Sequence, residues 1–554
     1  MFPPVGLPLE TVRMRCLLYL GCCALVALHS VRAAAGGELL SPDAPPEQAI
    51  DHYIDTRLQR VGVSPAPQAD DANLLRRTML DLVGRPPTAL EAKAYLACQD
   101  SAKRLQTVER LMASPAFVRQ QAAEFDAWLM EGTRGNIREY LAKAFRENRS
   151  WDRMFRELIV GEPDDPKQQG AIRFLAARAK DPDKLTNDTS VLFFGVNVSC
   201  AKCHDHPLVD DWKQDHYYGM LSFFSRTFDV GEFFGEREYG RVSFKTVEGE
   251  SRDAKLMFLT GAVIDEPATP EPDDKAKKEE KKKIDELRKN KEVPPPPLYS
   301  RRAALIEAAL HDSEQAFFAK AIVNHLFNRL FGRGLVMPVD QMHAESPPSH
   351  PELLAWLARD LQTHGYDLRR LIRGIVLSEA YARSSRWDSA AQRPAESLFA
   401  VALIRPLKPW QYGTQLKLAA TDCQQYPAEM SAEEMDNRMQ QLEAAGRALG
   451  ASFELPGVDF QVGVDEALLL SNGEKIANDL LATGDGSLVG RLAQLSDARA
   501  VAEAAIWNVF ARPPADDEVK ALTDYRSQRA DRIEAARRQM VWALLTSSEC
   551  RFNY

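Results

Sequence analysis

Residues 266–297 constrain the architecture more than any other part of the sequence. The stretch opens Glu-Pro-Ala-Thr-Pro-Glu-Pro at Glu266 and closes on four prolines, Pro294 to Pro297. Between Glu271 and Glu292 nine Lys/Arg stand against eight Asp/Glu, and apolar periodicity is missing. Such a segment has too little to bury to form a core, and its balanced charge argues against a basic patch. It reads as a solvated helix or a disordered tether. The expected organisation is a signal segment at 1–35, an N-terminal helical domain at 36–265, a charged, proline-rich linker at 266–297 and a C-terminal helical domain at 298–554. Some 520 residues beyond the signal suffice for full cores. On this reading a protease reaches the linker first and its deletion barely changes Tm.

On both sides of the linker the apolar spacing is helical, so the fold class expected is mainly α, multi-helical, with two domains. Amphipathic helices are predicted at Ala49–Val61, Ala72–Leu82, Arg104–Met112, Ala116–Met130 and Ile137–Ile159. Thr88 with Glu91 makes a capping box for a helix reaching Cys98. A small β element is expected before the linker, from Val242 to Val247 and from Leu256 to Leu259. Beyond it, Phe317–Phe331 stops at Gly332-Arg333-Gly334. Ser349 and Glu352 suggest a second capping box opening Glu352–Thr363, and a last helix spans Arg532–Thr546. Residues 82–96 echo 509–523 through Arg-Pro-Pro followed four residues later by Glu, a helix-turn-helix device used twice.

The first 35 residues read as an export signal. Arg13 and Arg15 form the basic region, Cys16 to Leu28 a short apolar stretch, and Ala33 to Ala35 the small residues for cleavage. A lipoprotein signal around Cys22 is a poorer match because Tyr19 is bulky. The expected location is therefore the periplasm or cell surface. No long apolar run follows, so no transmembrane segment is expected in the mature chain. Five cysteines remain beyond the signal, Cys98, Cys200, Cys203, Cys423 and Cys550, too scattered for a disulfide scaffold. The net charge of −9 gives no nucleic-acid footprint.

Only Cys200 and Cys203 lie close together, in Cys200-Ala201-Lys202-Cys203-His204, a CxxCH motif. This composition yields about 0.002 such motifs per chain by chance. Three chemistries suit it. In covalent haem c, Cys200 and Cys203 form thioethers and His204 is the proximal ligand, provided a helical turn puts i, i+3 and i+4 on one face. Phe193, Phe194, Tyr217, Tyr218, Phe223 and Phe224 suit a porphyrin, or else are ordinary core. His216 and Met220 are distal candidates, while His206 lies too close to His204 to wrap round the same iron. A structural zinc site is the second reading, since Cys200, Cys203 and His216 match the first three ligands of a finger. Met220 occupies the place of the fourth, leaving His204 or His206 to substitute. A CxxC disulfide is the third. Asp205, Asp210, Asp211 and Asp215 surround the motif as a solvated acidic loop or as partners orienting imidazoles. No nucleophile elbow, phosphate loop or His-Glu-x-x-His occurs, so no hydrolase or transferase is indicated. Ser349-His350 reads as part of a helix cap.

Several blocks also carry a family likeness. They are Leu74-Leu-Arg-Arg-Thr-Met-Leu-Asp-Leu-Val-Gly-Arg-Pro-Pro87, the run from Phe193 to Pro207 with Tyr217-Tyr218 and Phe223-Phe224, and Leu330-Phe-Gly-Arg-Gly-Leu335 with Asn324. Pro347 to Leu354, Leu368 to Tyr381, Ala467 to Gly473 and Trp542 to Tyr554 complete them. Through these the chain resembles planctomycete-type exported proteins that join a cytochrome-type (PSCyt-like) domain of unknown function to a second domain of unknown function (PSD-like). The resemblance implies an exported, mainly helical protein; the partner expected is an unidentified redox or protein partner outside the cytoplasm. It implies no activity, because the cytochrome label stems from CxxCH itself. The function expected is thus a c-type haem protein in electron transfer. The alternative is a structural or interaction protein with a zinc or disulfide Cys/His site.

Overall fold

The computed structural model describes residues 39–161, 170–205, 209, 211–231, 233–427, 429–455, 462–474 and 476–554. The expected signal segment, 1–35, together with His206 and Asp210, lies outside the described residues. The chain is mainly α, with three short antiparallel strand pairs among the described residues. Among the described residues no helix is long and apolar enough to cross a membrane.

Capping chemistry sets many helix ends. Asp70 accepts from Asn73 N at 2.9 Å to open Asp71–Val83, and Thr88 with Glu91 forms the expected box before Ala89–Ala97. Gly84 ends the first of these with φ 76°, and it also faces Gln120 so closely that a Cβ would lie 2.3 Å from Oε1. Only glycine fits both demands. Phe317–Phe331 runs as the periodicity predicts and stops at Gly332. Two expectations change. The apolar run 137–159 is two helices, Arg138–Arg146 and Trp151–Ile159, broken where Asn148 adopts φ 48°. Its periodicity survives the break because both helices bury residues in the same aromatic core: Phe145 packs on Phe125, and Phe125 on Trp151. Ser349 does not cap the helix Pro351–Thr363; His350 holds the N-cap position without a side-chain cap bond.

Of the expected strands, Ser243–Lys245 forms, but it pairs with Ser251–Asp253. Leu256–Leu259 contributes a single bridge, Met257 to Val263. Thr227–Asp229 and Phe234–Glu236 form a further hairpin that lacks strong alternation in the sequence.

The charged segment contains a helix, Asp274–Asn290, whose Ile284 is buried. Tyr239 and Arg237 both bond Glu280, and Arg288 donates to the Asp229 carbonyl at 2.6 Å. At its start, Glu266 receives Arg301 through two bonds of 2.5 and 2.8 Å and Arg226 at 3.3 Å. Both arginines are buried, so the segment is fastened by charge rather than by apolar packing.

The two halves share cores. Phe155 packs against Phe193 and against Phe318, which lies beyond the charged segment. Leu80 belongs to a cluster otherwise built from residues 407–550. Polar bonds reinforce this union. Arg76 donates to Gln415 at 2.9 Å and to the carbonyls of Glu549 and Phe552 at 3.1 and 3.2 Å. Arg77 donates to the carbonyls of Tyr381 and Arg383. Asp81 accepts from Arg405 twice, at 3.0 and 2.8 Å, from the Tyr381 hydroxyl at 2.7 Å and from Asn553 at 3.2 Å. Arg405-Pro406 and Phe552-Asn553 pair as strands beside it.

The internal echo is a repeated staple. Arg85 grips Glu91 through both terminal nitrogens at 2.8 and 2.9 Å, and Arg512 grips Glu518 likewise at 2.8 and 2.6 Å. In each case the glutamate also accepts from the N-cap N–H, Thr88 or Ala515, at 2.8 Å. The prolines set the turn; the ion pair locks it.

Burial alone would raise the Glu91 carboxyl, but Arg85 and the Thr88 N–H bring it down to about 2. A depressed carboxylate contributes stability above its unfolded value near 4.5, and that stability fades as pH falls toward 2. With the side chain one-fifth exposed, Glu91→Gln should cost on the order of 2 kcal/mol at pH 7 by urea denaturation and progressively less below pH 4. An equal cost at pH 7 and pH 2 would contradict this electrostatic account. Glu266→Gln, which strands Arg226 and Arg301, should likewise cost on the order of 2 kcal/mol. A variant as stable as the native chain would mean that those arginines find other partners.

Candidate functional site

The CxxCH turn follows the helix Pro182–Phe194. Val196 bridges Gln341, Asn197 N donates to the Asp340 carbonyl at 2.9 Å, and the Asn197 side chain accepts from Ser199 N at 3.1 Å. This starts a 3-10 turn, Ser199–Lys202, in place of the α-turn expected. Cys203 caps the turn, its N–H reaching the Cys200 carbonyl at 3.4 Å, and His204 follows in a bend beyond it. Ala201 anchors the turn with no exposure, while Cys200, Cys203 and His204 are exposed.

The turn is held from outside. Lys202 pairs with Asp183 at 2.7 Å, the Tyr218 hydroxyl donates to the Lys202 carbonyl at 3.0 Å, and Gln214 donates to the Cys203 carbonyl at 3.3 Å. Lys202 and the Tyr217 hydroxyl together hold the Asp183 carboxyl below the usual carboxylate range. His204 Nδ1 lies 2.7 Å from the Asp205 carbonyl. A carbonyl only accepts, so Nδ1 is the donor in this contact, which in the neutral ring leaves the lone pair on Nε2.

The flanking aromatics serve the core. Phe193, Phe194, Tyr217, Phe223 and Phe224 are buried, and Tyr218 stacks on Phe244 at 4.2 Å. Met220 is fully buried on the helix Gln214–Phe224. His216, on the same helix, accepts from Lys213 N at 3.2 Å and meets Trp212 edge-on, and burial lowers its pKa. It lines a cavity of about 590 Å³ with Trp212, Phe317, Lys320 and Met342, whose walls include none of Cys200, Cys203 and His204. Thus the turn gathers three of the expected site residues and places His216 and Met220 elsewhere. Nothing in the local spacing announces that cavity, since Met342 and Lys320 reach it from distant segments.

Among the described residues Cys98, Cys200, Cys203, Cys423 and Cys550 all carry free thiols. Among the described residues no group of three or more His, Cys, Asp or Glu is arranged to hold a metal ion. Ser349 Oγ lies 3.1 Å from His350 Nδ1, but His350 is buried, burial and Arg57 push it down to about 4, and its Nε2 has no partner. A serine base would need an orienting third group there. The pair is a packing feature.

Two family models match the chain. Residues 49–229 match PSCyt2, described as a protein of unknown function (DUF1549), and residues 301–450 match PSD1, a protein of unknown function (DUF1553). The chain belongs to the proteins that join these two domains in this order. No curated protein and no solved structure matches it.

The five thiols should differ sharply in reactivity. Cys200 and Cys203 are exposed, whereas Cys550 is fully buried and its thiol is pushed up to about 12. In native, cofactor-free protein an alkylating reagent should label Cys200 and Cys203 first and Cys550 only after unfolding, as read by peptide mass mapping. Early labelling of Cys550 would contradict the packing described.

Proposed function

We propose that the 199–204 turn is an attachment site for c-type haem, and that the protein works in electron transfer outside the cytoplasm. The observation that carries this reading is the tautomer of His204. Its Nδ1–H is fixed to the Asp205 carbonyl, the arrangement that aims the Nε2 lone pair of a metal-binding imidazole outward. Two exposed thiols three residues apart complete the donor set, and exposure is unusual for cysteine. Cys200 and Cys203 would hold the haem covalently and His204 would be its proximal ligand; the bound group supplies one-electron redox chemistry. The protein's part is to keep the turn rigid through Asp183, Gln214 and Tyr218 and to present it to a redox partner. With Met220 in the core, the turn provides one axial ligand of its own. The export signal read from residues 1–35 agrees with this location.

Protein produced in a host with haem-attachment machinery should carry one haem that survives acid–acetone extraction. His204→Ala should remove or strongly perturb the iron spectrum, whereas Cys98→Ala and Cys423→Ala should leave it unchanged. Colourless protein containing one zinc per chain, or an unaltered spectrum in His204→Ala, would refute the haem reading.

A further inference from the structure

The cavity beside His216, of about 590 Å³, lies where the segments 211–216, 259–260, 315–320 and 336–355 meet. Sites for small organic molecules run from roughly 300 to 1,000 Å³ and are mostly apolar, with a few polar groups that orient the ligand. This cavity has that make-up. Trp212, Phe317 and Met342 are buried in its wall, the two rings 6.1 Å apart, and Leu259, Val336 and Leu354 extend the apolar surface. Two nitrogen donors interrupt it. Lys320 is half-buried, and among the described residues its ammonium has no hydrogen bond or ion pair. Asp312, the carboxylate that acts on it through space, already accepts from Gln315 N at 2.9 Å and Phe317 N at 3.2 Å. His216, also half-buried, accepts from Lys213 N through Nδ1 at 3.2 Å, so in the neutral ring Nε2 carries the proton. Among the described residues that N–H meets no acceptor.

The sign of the wall favours an anion. Asp211, which also lines the cavity, is exposed and accepts from Ala344 N at 3.3 Å. Phe317–Phe331 and Pro351–Thr363 both present their opening residues, the end at which a helix dipole is positive. Burial lowers the Lys320 pKa, a penalty on its charged form that a bound carboxylate offsets. We propose that this cavity binds an aromatic monocarboxylate, its ring among Trp212, Phe317 and Met342 and its carboxylate on Lys320 Nζ, with His216 Nε2–H as a further donor. Indole, phenyl and thioether walls give an aromatic ring edge, face and sulfur contacts that an aliphatic chain does not receive. The charge-assisted bond to Lys320 distinguishes an acid from its neutral amide. Trp212 and His216 belong to one matched domain and Phe317 and Lys320 to the other, so neither domain alone contains the site.

The test is isothermal titration of the full chain with phenylpropionate and cinnamate, each beside its amide, and with octanoate as the aliphatic comparison. At least one aromatic acid should bind saturably at millimolar concentration or below, and at least tenfold more tightly than its amide or octanoate. Lys320→Gln, with Tm unchanged, should bring that acid down to the level of its amide, and Lys320→Arg should keep part of the preference. If Lys320→Gln does not fold, Ala355→Phe enlarges a half-buried wall residue into the cavity and should block binding of the acid. The walls include none of Cys200, Cys203 and His204, so the outcome does not depend on haem attachment. Saturable binding by neither acid, an amide or octanoate that binds as tightly, or undiminished binding in a folded Lys320→Gln or Ala355→Phe variant would overturn the assignment.

Discussion

The carboxylate of Asp81 is the point on which the fold closes. It takes two hydrogen bonds from Arg405, one from the Tyr381 hydroxyl and one from Asn553. A buried carboxylate survives only if its lone pairs are matched, and these matches come from three segments far apart in sequence. Arg76 and Arg77, one turn earlier on the same helix, reach the carbonyls of residues 381–383 and 549–552. One helix therefore joins the two matched domains both by polar bonds and, through Leu80, by apolar packing. The charged segment between the domains does not separate two bodies; it spans the outside of a shared interior.

The CxxCH turn shows the opposite economy of contact. Its backbone is tied down by Gln214, Tyr218 and the Lys202–Asp183 pair, yet its three reactive side chains touch little. The aromatic residues flanking it in sequence point inward to hold the helices that support the turn. Rigidity beneath and exposure above suit a covalent attachment better than a buried ligand cage, because the protein there shapes the anchor and leaves the far side to solvent or a partner.

Much of the helical frame was legible because it rests on local chemistry. Thr88 with Glu91, the apolar stripe of Phe317–Phe331 and the glycine that ends it are signals contained within a few residues. The Ser349–Glu352 pair failed as a cap because His350, driven into the core, took the N-cap position instead. The Leu256–Leu259 run failed as a strand because Ser243–Lys245, the segment expected beside it, pairs with Ser251–Asp253 instead. At the candidate site the composition of the turn was readable, but its 3-10 geometry and the burial of Met220 depend on tertiary packing. The roles of Arg76, Arg77 and Asp81 were hidden for the same reason. Their partners lie 300 or more residues away, and no local spacing encodes such a pairing.

That distance has a consequence for how the molecule comes into being. Asn553 and Asp81 are separated by 472 positions. Entropy is a small part of the difficulty: closing a loop of that length costs only about 3 kcal/mol more than closing one of ten residues. Time is the larger part. At roughly 5–20 residues per second of synthesis, the helix bearing Asp81 waits on the order of half a minute or more before Asn553 emerges. Arg77 meets its carbonyls only once residues 381–383 have emerged, and the cluster that Leu80 enters is complete only with Cys550. The N-terminal half therefore finishes its interior in steps, the last of them the closure of Asn553 on Asp81.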